Sequence, residues 1–65
     1  MFTGTLEFMG SNILVRYFNN TWRIRKEGGF FSLMYWSDYY GWWEPTGIVE
    51  GTLKKVLQRV QGGPV

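Results

Sequence analysis

Three short turn signals constrain this chain more than any other feature. Gly10-Ser11, Asn19-Asn20 and Gly28-Gly29 interrupt runs that are alternating, β-branched or aromatic. Gly and Asn tolerate the positive φ that tight hairpins require. A two-residue loop at Gly10-Ser11 sets Phe8 opposite Ile13 and Leu6 opposite Val15. One at Asn19-Asn20 sets Tyr17 opposite Trp22, Val15 opposite Ile24 and Arg16 opposite Arg23. One at Gly28-Gly29 sets Ile24 opposite Leu33 and Trp22 opposite Tyr35. The three registers agree, because each sorts the same apolar set to one face. A slip of one residue would send that set to the other face.

Downstream, residues 37–41 are expected as a loop and 42–44 as a short fifth strand, with Pro45-Thr46-Gly47 breaking the chain. From about Ile48 the period changes. Val49, Leu53, Val56, Leu57 and Val60 recur at helical spacing, and Lys54, Lys55, Gln58 and Arg59 fall on the opposite side. Gly47 with Glu50 marks the expected helix start, and Gly62 the residue after its end. The expected fold is α+β: an antiparallel β-meander of four to five strands with one C-terminal α-helix packed on one face. Residues 1–61 make that single small domain, and 62–65 a flexible tail. The expected core is Leu6, Phe8, Ile13, Val15, Tyr17, Trp22, Ile24, Leu33, Tyr35, Val49, Leu53, Val56, Leu57 and Val60.

A chain of 65 residues buries little surface, and many such domains add disulfides or a metal. Here Cys and His are both absent, so disulfides and Cys/His zinc sites are excluded and no metal or cofactor is expected. Aromatic residues, 20% of the chain, take up that role. The same absences remove the commonest general base and the thiol nucleophile, so an enzyme is not expected. Glu7 interrupts the start, no apolar signal region follows, and no apolar run is long enough to span a bilayer. A cytoplasmic location is expected, in the host cell cytoplasm if the chain is viral.

The net charge is +2. Arg16, Arg23, Arg25 and Lys26 crowd the first part, Glu27, Asp38, Glu44 and Glu50 the middle, and Lys54, Lys55 and Arg59 the end. The registers put Arg16, Arg23 and Arg25 on the face turned away from the helix, beside Phe18, Thr21 and Trp36. Arg binds phosphate bidentately, and aromatic rings stack on unpaired bases. Arg16, Phe18, Arg23, Arg25 and Trp36 are therefore the candidate nucleic-acid site. Arg and Thr on an open sheet face are also ordinary solubilising residues. Lys54, Lys55 and Arg59 read as a solvated helix face.

Aromatic residues crowd positions 30–43. Neighbours in a strand point to opposite faces, so one helix cannot cover both members of Phe30-Phe31, Tyr35-Trp36 and Trp42-Trp43. Either a closed barrel buries them or a partner does. Tyr39, Tyr40, Trp42 and Trp43 are the candidate protein interface.

Three antiparallel strands followed by a helix, with Arg16, Arg23 and Arg25 on the sheet, resemble the arm-binding domains of phage and transposon integrases and the plant AP2 domain across residues 13–60. That resemblance implies DNA read by the sheet face. Five strands with a terminal helix are similar to the small archaeal chromatin proteins. The leading expectation is a small, non-enzymatic DNA-binding accessory protein of phage or mobile-element origin. The alternative is a protein-binding module, an inhibitor or adaptor of a host protein, or a subunit that associates with itself.

Overall fold

The computed structural model describes residues 2–62. Its elements are β1 (Thr5–Met9), β2 (Asn12–Tyr17), β3 (Asn20–Glu27), β4 (Phe30–Ser37), β5 (Trp42–Glu50) and α1 (Leu53–Gly62). The strands pair in sequence order as one antiparallel sheet. The helix packs on one face of it, so the fold is the α+β meander that the turn signals imply.

Two of the three expected registers are observed. Phe8 faces Ile13 and Leu6 faces Val15. Ile24 faces Leu33 and Trp22 faces Tyr35. The β2–β3 register is different. Ile13 faces Ile24, Val15 faces Trp22, and Arg16 faces Thr21 rather than Arg23. The turn is Phe18-Asn19, one step earlier than the Asn pair, and the ladder is shifted by two residues. An even shift keeps every side chain on its face, which is why the face assignment holds although the pairing does not.

The cross-strand neighbours change with the register. The expected register sets two guanidinium groups directly opposite, which is destabilising. The observed one sets Arg23 opposite Leu14 and Arg25 opposite Asn12, and Arg23 Nε donates to Asn12 Oδ1 at 3.0 Å. Either register leaves a buried apolar row through Ile24 and Leu33, completed here by Ile13. The cost falls on Phe18, which takes a positive φ of 55°. A bulky L-residue in that region is strained by about 1–2 kcal/mol.

Pro45-Thr46-Gly47 does not end β5. Ser32 faces Val49 and Met34 faces Pro45, so Thr46, Gly47 and Ile48 together oppose Leu33. This is a bulge with two surplus residues on an edge strand, where Pro is tolerated. Thr46 Oγ1 donates to the Leu33 carbonyl at 2.9 Å and accepts from Ile48 N at 3.1 Å. Gly47 supplies the positive φ of 87°. An even surplus preserves the alternation, so Ile48 enters the core and Val49 lies on the open face.

The helix consequently starts later than the periodicity suggests. Thr52 caps it: its Oγ1 accepts from Lys55 N at 3.2 Å. Gly47 and Glu50 do not; Glu50 instead accepts from Arg59 Nη1 at 3.1 Å. Gly62 is the last residue of the helix rather than the one after it, and the rest of the expected tail, 63–65, lies outside the described residues.

The core is Ile13, Val15, Ile24, Leu33, Ile48, Val56 and Val60, ringed by Phe2, Leu6, Tyr17, Trp22, Phe31, Leu53 and Leu57. Phe8, Tyr35 and Val49, expected in it, are exposed. The helix lies over β4 and β5, so the β1 edge carrying Phe8 is left open. Val49 fails because it is in a strand, on the face opposite the helix.

Candidate nucleic-acid interface

The face without the helix is a grid set by the registers. One row reads Glu7, Leu14, Arg23, Met34, Pro45, and the next Met9, Asn12, Arg25, Ser32, Val49. A third begins Thr5, Arg16, Thr21, and Trp36 and Trp43 face each other on the far side of it. Arg16, Arg23 and Arg25 therefore share one face, as the alternation implied. Arg16 and Arg23 are diagonal neighbours, spaced by about 7–8 Å in such a ladder.

The three guanidinium groups are not equivalent. Arg23 is half-buried, bound to Asn12, and lies 6.0 Å from the Trp43 ring centre. That is the outer limit of a cation–π contact. Arg16 is exposed. Arg25 is exposed and 3.6 Å from Glu27, a surface ion pair worth little in water. Arg16 and Arg25 are thus the groups able to turn to an outside anion, while Arg23 braces the face.

The aromatic candidates separate. Trp36 and Trp43 meet edge to face on the open side, ring centres 5.4 Å apart. Trp36 Nε1 donates to Asp38 Oδ1 at 3.1 Å. Trp42 points to the other side of the sheet and is exposed, so the expected interface of Tyr39, Tyr40, Trp42 and Trp43 is split between two faces. Alternation along β5 requires that split. Tyr39 and Tyr40 sit at the β4–β5 tip, rings 4.8 Å apart, on a turn closed by Gly41 N to the Ser37 carbonyl and Tyr40 N to Ser37 Oγ. Phe18 is 85% exposed in the β2–β3 turn, against Tyr17.

One feature was not legible in the sequence. The β3–β4 ladder begins at Trp22–Tyr35. Beyond it, Asn20 and Thr21 pair only with β2, and Trp36 and Ser37 only with β5. The sheet therefore forks at this end. A cleft of about 540 Å³ lies in the fork, lined by Leu14, Asn19, Asn20, Thr21, Trp22, Tyr35, Trp36, Asp38 and Trp43. The only hint in the chain is polar: Asn19-Asn20-Thr21 and Asp38 stand where two hairpin tips come together. The Trp22 Nε1–H is buried without a hydrogen-bond partner among the described residues.

Among the described residues no group of three or more Asp or Glu side chains could hold a metal, and no helix is long and apolar enough to cross a membrane. Compared with protein-family models, curated proteins and solved structures, the chain gives no match to any of them.

Proposed function

We propose that this chain is a small, non-catalytic DNA-binding protein whose interface is the open face of the sheet. The observation that carries the reading is the gathering of Arg16, Arg23 and Arg25 with Trp36 and Trp43 on a face that no described element covers. Guanidinium groups bind phosphate oxygens, and an exposed indole such as that of Trp36 gives sequence-tolerant contact. A flat antiparallel sheet is one of the known ways to present such groups to nucleic acid.

Fluorescence anisotropy of labelled mixed-sequence DNA, titrated over a range of salt, tests it. Affinity should fall linearly with salt on logarithmic axes. Arg16→Gln and Arg25→Gln should each lower that slope by about one while weakening binding to all sequences alike. Binding that ignores salt, or slopes unchanged in both variants, contradicts the reading.

A second reading has its own observation. Tyr39 and Tyr40 are 88% and 69% exposed on a turn whose backbone Ser37 closes, their rings edge to face, and Trp42 is exposed nearby. Clustered, exposed aromatics are the material of interface hot spots. They would serve a protein partner or a second copy of the chain. Sedimentation equilibrium checks the second copy: association should disappear in Tyr39→Ala, and a monomer at all concentrations removes that version.

A further inference from the structure

The fork gives the proposed interface a specific occupant. We infer that the cleft between the β2–β3 and β4–β5 tips holds an unpaired nucleobase, so that the preferred ligand is single-stranded DNA. This rests on the DNA-binding reading above and narrows it.

Three observations and one property of duplex DNA point the same way. The cleft, about 540 Å³, is in the size range of small-ligand sites and suits a nucleotide rather than a duplex. Its wall carries Trp36, held in place by Asp38 at one end and by the edge contact with Trp43. A ring with contacts at both ends loses less freedom on binding than a free one. A base inside a duplex has both faces covered by its neighbours, so Trp36 can stack only on one that is out of the helix. Finally, Arg16 is paired across β2–β3 with Thr21, which lines the cleft; its own side chain lies one strand away, in the groove toward β1, within reach of the backbone of a strand whose base enters the cleft.

The polar groups favour some bases over others. The Asp38 carboxylate only accepts hydrogen bonds, and it repels a phosphate. It suits the exocyclic amine of cytosine or adenine, and the Asn19 and Asn20 amides can pair with an adenine edge. Thymine has carbonyls in place of that amine. The cleft therefore prefers amine-bearing bases, with the phosphate kept on the Arg16 side.

Intrinsic tryptophan fluorescence of the whole chain, titrated with oligo-dA, oligo-dC, oligo-dT and a mixed-sequence duplex, tests this. Single strands of dA or dC should bind at least about fivefold more tightly than dT or duplex. Trp36→Ala should weaken single-strand binding by roughly tenfold without changing the salt slope, and Trp36→Phe should recover most of the loss. Asp38→Asn should erase the advantage over dT. A circular dichroism spectrum of each variant separates lost binding from lost fold, and Trp36→Phe keeps the test valid if Trp36→Ala unfolds. Duplex bound as tightly as single strands, or full binding by Trp36→Ala, overturns the cleft while leaving the basic face standing. Equal binding of dT overturns the role given to Asp38. No salt-dependent binding to any of the four overturns both readings.

Discussion

Phe18 offers the sharpest test of the β2–β3 register. Its φ is 55°, and its ring is 85% exposed against Tyr17, at 4.4 Å between centres. At an ordinary position Gly is less stable than Ala by about 0.5–1 kcal/mol, because it loses more backbone freedom on folding. At a positive φ the order reverses, since Ala keeps the Cβ that causes the strain and Gly removes it. Phe18→Ala and Phe18→Gly both lose the contact with Tyr17, so the difference between them isolates the backbone. The left-handed penalty of about 1–2 kcal/mol, less the entropic cost of Gly, leaves Gly ahead by about 0.5–1 kcal/mol. For a domain of this size that is a difference in Tm of about 2–8 °C. Thermal melts followed by circular dichroism resolve it. An Ala variant as stable as the Gly variant would falsify the Phe18-Asn19 turn. The ladder would then revert to Asn19-Asn20, with Arg16 opposite Arg23, and the fork would not have the lining described.

Three further substitutions probe what holds the interface in place. Thr46→Val removes both hydrogen bonds of the β5 bulge and leaves the Leu33 carbonyl and Ile48 N–H unpaired; urea denaturation should show a loss of about 2–3 kcal/mol, and a loss under about 0.5 kcal/mol would mean the bulge is held by other contacts. A Cβ at Gly4 would collide with the Arg16 carbonyl oxygen and the Phe2 ring, so Gly4→Ala should cost about 1–3 kcal/mol and lift Phe2 from Tyr17, seen as loss of their mutual NMR contacts. Thr52→Ala should lower stability by about 1 kcal/mol through the lost helix cap, with Thr52→Asp close to the parent; equal loss in both variants would refute the cap.

The split among the aromatics bears on both functional readings. Trp36 and Trp43 belong to the basic face, whereas Tyr39, Tyr40 and Trp42 lie at its tip or on its far side. DNA on the open face would therefore leave the tyrosine pair accessible. Mutating Tyr39 should spare DNA affinity, and mutating Arg16 should spare self-association.

The meander, the position of two hairpin turns, the helix and the face of every Arg are determined by the sequence alone. Alternation is a local property with a period of two, and it does not depend on which residues end up opposite one another. What only the tertiary structure decided is the pairing of β2 with β3 and of β4 with β5. The Asn pair has the better local turn chemistry, yet the chain turns at Phe18, in a register that sets Arg23 opposite Leu14 and bonded to Asn12 instead of opposite Arg16, at the expense of one strained φ. Pro45-Thr46-Gly47 is a break by composition, yet Thr46 bonds across to Leu33 and carries the strand on to Glu50. The forked cleft follows from the same kind of cause. It exists because two hairpins pair outward where their mutual ladder stops, and the length of a ladder is set by the whole sheet rather than by any one of its strands.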